Sequence, residues 1–168
     1  MNLKTPHAIL GIALIAVVAA YLAYAAFSPP APVTLPVPSR FLVNGRTFAI
    51  TYTATTPAER QAGLMNRAVT NTTAMLFVFP SAGVYRFWMY DTNASLDMIW
   101  ISVSGQSGQV TYLYTDAQPC FSQLTCPTFG PNSQADYVIE AQAGFAKSNG
   151  IQIGATIQFM TFTLVPVS

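Results

Sequence analysis

Histidine is all but missing from this chain: the single imidazole among 168 residues is His7, which precedes a long apolar run. Everything downstream therefore lacks the means for a Ser-His-Asp triad, a Cys-His nucleophile pair or a histidine-ligated metal. Charge is scarce too. Charged residues make up 8% of the chain, against about 25% in ordinary globular proteins, and seven Lys and Arg nearly balance six Asp and Glu to a net +1. The arginines, Arg40, Arg46, Arg60, Arg67 and Arg86, are scattered, so no basic field exists for nucleic acid and none is expected as a partner. Five dispersed methionines, Met65, Met75, Met89, Met98 and Met160, form no copper-type cluster, and neither a metal nor a cofactor is expected. No internal repeat is present, and the only biased segment is Pro-rich.

What the chain does have, first, is an uncharged and mostly apolar run of 20 residues, Ala8 to Phe27. At ~1.5 Å per residue it makes a helix about 30 Å long, the thickness of a bilayer's hydrocarbon core. Lys4 and the terminal amine place positive charge on its N-terminal side, so residues 1–7 are expected in the cytoplasm and the remainder outside. A cleavable signal peptide is the competing reading, because Ala23-Tyr24-Ala25 is a small-x-small site; cleavage would leave a secreted protein. A Pro-rich linker follows over 28–38, which leaves 130 residues, 39–168, for one extracytoplasmic domain.

Two cysteines, Cys120 and Cys126, share one loop, and an even count in an exported domain predicts a disulfide. Two sequons, Asn71-Thr72-Thr73 and Asn93-Ala94-Ser95, sit at turn-like positions and are candidate glycosylation sites.

The domain reads as mainly β within an α+β class. Arg40–Val43 and Thr47–Ala54 flank Asn44-Gly45, a strong hairpin signal. Thr56-Pro57-Ala58-Glu59 has the form of a helix start, with Thr56 as N-cap and Glu59 closing a capping box. Further strands are expected at 74–79, 84–90, 96–103, 109–114, 137–141 and 156–165, and a second short helix at 143–148. Leu96-Asp97-Met98-Ile99-Trp100-Ile101 shows almost no alternation, so its strand should be buried on both faces. Many strands with one or two short helices predict a coiled sheet or a partly closed β-barrel, preceded by the single N-terminal transmembrane helix.

Three blocks then carry a resemblance: Thr56-x-x-Glu59-Arg60-x-x-Gly63-Leu64-Met65-x-Arg67, Met75-Leu76-Phe77-Val78-Phe79, and Phe87-Trp88-Met89-x-x-Thr92-x-x-x-Leu96-Asp97-Met98-Ile99. Ala135-x-Tyr137-Val138-x-Glu140 and the glycines Gly144, Gly150 and Gly154 continue it in order. Over roughly 46–160 the chain resembles the domain of unknown function 192 family, which implies a small β-rich domain, often exported, without an assigned biochemical role. It departs from that pattern at Tyr90-Asp91 (usually Lys-Asn), Ser95 (usually Pro) and Ala155 (usually acidic), and these departures favour a structural or binding role over a catalytic one.

Without histidine, catalysis would rest on Glu59, Asp91, Asp97, Asp116, Asp136 and Glu140. Asp97 and Glu59 are the weak catalytic candidates. Asp97 opens an apolar strand and so needs an arginine, Arg86 or Arg67, or backbone donors. Trp88, Arg86, Asp97 and Arg67 are the binding candidates, drawn from an aromatic cluster at 85–90 suited to core packing or to stacking a sugar or lipid. The expected function is a non-catalytic, membrane-anchored extracytoplasmic binding or accessory domain of the cell envelope or of a membrane complex, partnered by the membrane through 8–27 and by neighbouring subunits. The alternatives are a carboxylate-dependent envelope hydrolase and a subunit of an extracellular filament or surface layer.

Overall fold

The computed structural model describes residues 6–27 and 34–166. Lys4 and residues 28–33 of the Pro-rich stretch lie outside the described residues. The chain divides into two units, Met1–Ala31 and Pro32–Ser168. In the first, α1 (Pro6–Phe27) is a helix of 22 residues that covers the apolar run, with no acidic residue in its first turn and no basic residue in its last. Side chains are described for 16–25 and 27 of this helix, and among the described residues no helix is long and apolar enough to cross a membrane. Use of 8–27 as an anchor therefore rests on the sequence alone.

The second unit holds β1 (Thr34–Val43), β2 (Arg46–Ala49), β3 (Tyr52–Ala54), α2 (Pro57–Ala62), β4 (Ala74–Gly83), β5 (Phe87–Trp88), β6 (Leu96–Ser104), β7 (Ser107–Ala117), β8 (Thr128–Phe129), β9 (Ala135–Gln142), α3 (Phe145–Ser148) and β10 (Thr156–Pro166). Eight strands form one mixed sheet in the order β2-β1-β10-β7-β6-β9-β4-β3, with β3 and β4 parallel and the other pairs antiparallel. β5 and β8 make a separate two-stranded sheet.

The sheet is open, which corrects the partly closed barrel. Its edge strands β2 and β3 are separated only by Ile50 and Thr51, whose amides donate in opposite directions, to Ser39 O at 2.9 Å and to Thr51's partner Ala74 O at 2.8 Å. This short run links the two edge strands, β2 pairs with β1 and β3 with β4, and among the described residues no ladder joins β2 to β3. The expected strand at 47–54 is split for the same reason.

Residues 34–38, read from sequence as linker, belong to β1, where Val37 is buried and pairs with Thr163. Pro36 and Pro38 fall where β1 has β10 as its one ladder partner, a position that tolerates proline better than a central strand. The Asn44-Gly45 hairpin forms as expected, with φ of 49° and 77° at the two turn residues. Asn44 also donates to Asn149 O and Gly150 O, both at 2.9 Å, which ties the turn to the end of α3. The capping box of α2 is present, with Thr56 accepting from Glu59 N and Glu59 accepting from Thr56 N at 3.0 Å.

β4, β6 and β9 lie at the centre and are buried on both faces. Leu76, Val78, Ile99, Ile101, Ile139 and Ala141 enter one core, closed by β1, β10 and α3. Met75, Phe77, Met98, Trp100 and Val138 enter a second, closed by Leu64, Met89 and Phe87. The expectation for the strand starting at Leu96 is met, since burial on both faces requires the missing alternation.

Candidate functional site

The second core is covered by α2, β5 and β8, and between these elements the surface opens into a cleft of about 310 Å³. Arg60 and Gln61 line it from α2, Phe79 from β4, Phe87 and Trp88 from β5, and Thr128 from β8, with Tyr85 and Arg86 from the segment before β5. The strand expected at 84–90 is reduced to Phe87–Trp88 because its partner, β8, has only two residues. The chain around it is held by side chains instead. Trp100, fully buried, donates its indole N–H to Tyr85 O at 2.8 Å, and Tyr85 stacks on Phe79 with ring centroids 3.4 Å apart. Gly130, with φ of 143°, lies so close that a Cβ would stand 2.8 Å from the same Tyr85 O. That approach presses the loop after β7 against the cleft wall, and only glycine accommodates it.

Arg86 is exposed at the rim, where it donates to Thr128 Oγ1 at 3.4 Å and to Thr128 O at 3.5 Å. Arg60 is more committed: one of its nitrogens donates to Thr55 O at 2.8 Å and Val78 O at 3.1 Å, and its guanidinium lies 5.2 Å from the Phe79 ring centroid.

A smaller chamber of about 20 Å³ shares four wall residues with the cleft, Arg60, Gln61, Phe87 and Trp88, and is further lined by Met65, Tyr90, Thr92 and Glu140. Glu140 is 3% exposed. It lies on β9 between Met75 of β4 and Met98 of β6, both buried and neither able to donate a hydrogen bond to it. Among the described residues it forms no hydrogen bond or ion pair, and desolvation pushes its pKa up to about 8. The sequence reading counted Glu140 among six acids and did not single it out. The available signal was the one that marked Asp97, an acid inside an otherwise apolar strand.

Of the four binding candidates, the structure brings Trp88 and Arg86 together in the cleft. Arg67 lies elsewhere, with its guanidinium 4.4 Å from the Tyr52 ring centroid. Asp97 faces the other core, fully buried. Its Oδ1 accepts from Asp116 N at 3.0 Å and its Oδ2 from Ala146 N at 2.9 Å. Backbone amides, and neither Arg86 nor Arg67, therefore satisfy this carboxylate. Glu59, the other catalytic candidate, is occupied at the start of α2 by the amides of Thr55 and Thr56, at 2.8 and 3.0 Å, which hold its carboxyl below the usual range.

Cys120 and Cys126 are joined in a disulfide, as expected. It closes the loop behind the cleft, where the Cys120 carbonyl accepts from Asp91 N at 3.0 Å and its amide donates to Met89 O at 3.1 Å. The sequon asparagines, Asn71 and Asn93, are both exposed.

Comparison with known proteins places residues 41–159 in the DUF192 family, described as an uncharacterised ACR. A solved structure of a candidate transcription regulator from Sinorhizobium meliloti 1021 is similar, with 26% identity and a TM-score of 0.60 over 79% of this chain and 98% of that one. A protein of unknown function from Novosphingobium aromaticivorans DSM 12444 is similar in fold, with 22% identity and a TM-score of 0.61 over 81% of this chain and 96% of that one. No curated protein matches the chain.

Proposed function

We propose that this chain, which belongs to the DUF192 family, is an extracytoplasmic binding domain tethered to the membrane by residues 8–27, and that it holds a small ligand in the cleft between α2, β5 and β8. The observation that carries the reading is the meeting of Trp88 and Arg86 with Phe79 and Tyr85 around a cavity of about 310 Å³. Aromatic faces with one rim cation suit a ligand that has an apolar face and a neutral or anionic polar group, and the volume is at the lower end of small-molecule sites. Placement outside the cytoplasm is supported by the apolar run, by Lys4 ahead of it and by the disulfide. Exposed sequon asparagines at Asn71 and Asn93 are compatible with glycosylation there.

The hydrolase alternative requires two convergent carboxylates. Among its described lining the cleft and its inner chamber offer one, Glu140. A regulatory role like that described for the Sinorhizobium protein gains no support from a chain of net charge +1 with dispersed arginines.

The test is a tryptophan-fluorescence titration with soluble envelope polysaccharides and their fragments. Trp88 is half-buried at the cleft and Trp100 is sealed in the core, so the response reports the cleft. Saturable binding that falls about tenfold or more in Arg86→Ala and disappears in Trp88→Ala is the expected result. Binding that both variants retain would place the ligand elsewhere and sink the reading.

A further inference from the structure

Glu140 is the buried acid of β9, and its position invites a more specific assignment. It is almost wholly buried, has no hydrogen-bond partner among the described residues, and faces a chamber of about 20 Å³. Among the described residues no sealed side-chain oxygen lacks a partner, so the Glu140 carboxyl keeps a trace of accessible surface toward the chamber, and a group entering there is what can pair with it. The chamber has room for about one water-sized group, so only a single polar atom of a ligand can enter. Surrounded by Met75 and Met98 along the sheet, the carboxyl is held neutral, with one O–H to donate and an oxygen to accept. A hydroxyl is the small group that matches both roles.

The groups around it decide the rest of the ligand. Arg60 and Tyr90 share the inner chamber, and Arg86 and Tyr85 stand in the outer cleft. These groups disfavour an amine and favour a ligand whose charge, if any, is negative. We infer that Glu140 and its chamber form a subsite for one hydroxyl of an anionic saccharide, whose ring lies against Trp88 and whose acid group meets Arg86. This rests on the cleft being a ligand site, as proposed above, and adds the class of ligand and the residue that selects it.

The experiment is a fluorescence titration of the full chain in detergent with glucuronate, glucose and glucosamine, at pH 6.5 and pH 9.5. Glucuronate should bind, glucose more weakly and glucosamine least. Between the two pH values glucuronate affinity should fall by about tenfold or more as Glu140 ionises and repels the anion. Glu140→Gln keeps the size and neutrality of the group, so it should bind glucuronate at both pH values and lose the pH dependence. Glu140→Ala should lose about tenfold at pH 6.5, the loss of a buried hydrogen bond. If glucosamine binds best at pH 6.5, where its amine carries charge, the site takes amines and the assignment is wrong. Glucuronate binding that ignores both pH and Glu140→Ala removes the subsite and leaves the cleft as a ligand site. A parent protein that responds to none of the three at either pH also removes the subsite, while the cleft reading is decided by the polysaccharide titration above.

Discussion

The carboxylate of Asp97 has two oxygens, and each accepts one backbone N–H, from Asp116 on β7 and from Ala146 in the first turn of α3. The Ala146 amide is buried and the Asp116 amide partly so, and by accepting from both the side chain ties the end of the sheet to α3. Asp97→Asn keeps one acceptor and turns an NH2 toward the other amide, and should cost about 1–3 kcal/mol; Asp97→Ala strands both amides and should cost about that much for each. Thermal unfolding of the two variants beside the parent checks the order. Equal midpoints in all three would show that the bonds contribute nothing. Glu140 behaves in the opposite sense, since nothing compensates its burial. Between its ordinary value of 4.5 and about 8 the folded state keeps a proton that the unfolded chain has released, so stability falls as pH rises through that window and is flat above it. Glu140→Gln removes the titration and should be the more stable protein at pH 9, by on the order of 3 kcal/mol. Unfolding midpoints of parent and variant at pH 4 and pH 9 measure this; a difference independent of pH would refute it.

β1 is longer than its hydropathy announced. The prolines at 36 and 38 look like linker, yet Thr34 to Pro38 pair with Phe162 to Pro166 of β10, and the segment buries Val37. A chain that begins at Thr34 should therefore be more stable than one that begins at Ser39, which leaves the end of β10 unpaired and part of the first core uncovered. The expected loss is about 1–3 kcal/mol for the exposed side chain and its surroundings, read as a lower denaturant midpoint; equal midpoints would return these residues to the linker. β5 illustrates the reverse error. Its aromatics suggest a long strand, but a two-residue partner limits pairing to Phe87 and Trp88, and the remaining backbone bends to wall the cleft. In both cases the deciding fact is how much strand stands opposite, which lies far away in the chain.

Taken whole, the molecule pairs an apolar helix, α1, with a β-rich unit that begins at Pro32. If α1 is a retained anchor, the full-length protein should remain with the membrane after washing with high salt and alkaline carbonate and come away only in detergent, and its intact mass should include residues 1–27. A mature N-terminus near Ala26, found in soluble material, would identify a cleaved signal peptide and a secreted domain instead.

Local chemistry alone sufficed for several parts of this protein. Asn44-Gly45 turns because both residues tolerate positive φ, Thr56 and Glu59 cap a helix because their side chains reach its first amides, and Leu96 to Ile101 form a doubly buried strand because no face is spared for water. The mainly β class and the Cys120–Cys126 pairing were equally readable, and so was the nearness of Trp88 to Arg86, two residues apart on one segment. The placement of β2 and β3 at the two ends of the sheet was not legible, because it depends on Ile50 bonding to β1 and Thr51 to β4, strands far apart in the sheet. Nor were the partners of Asp97, since the amides of Asp116 and Ala146 come from β7 and α3, distant in the chain, and a backbone donor leaves no mark on residue identity. Glu140 depended most on the tertiary fold: two acids in apolar strands look alike in sequence, and only packing gave one of them two amides and turned the other toward a small chamber.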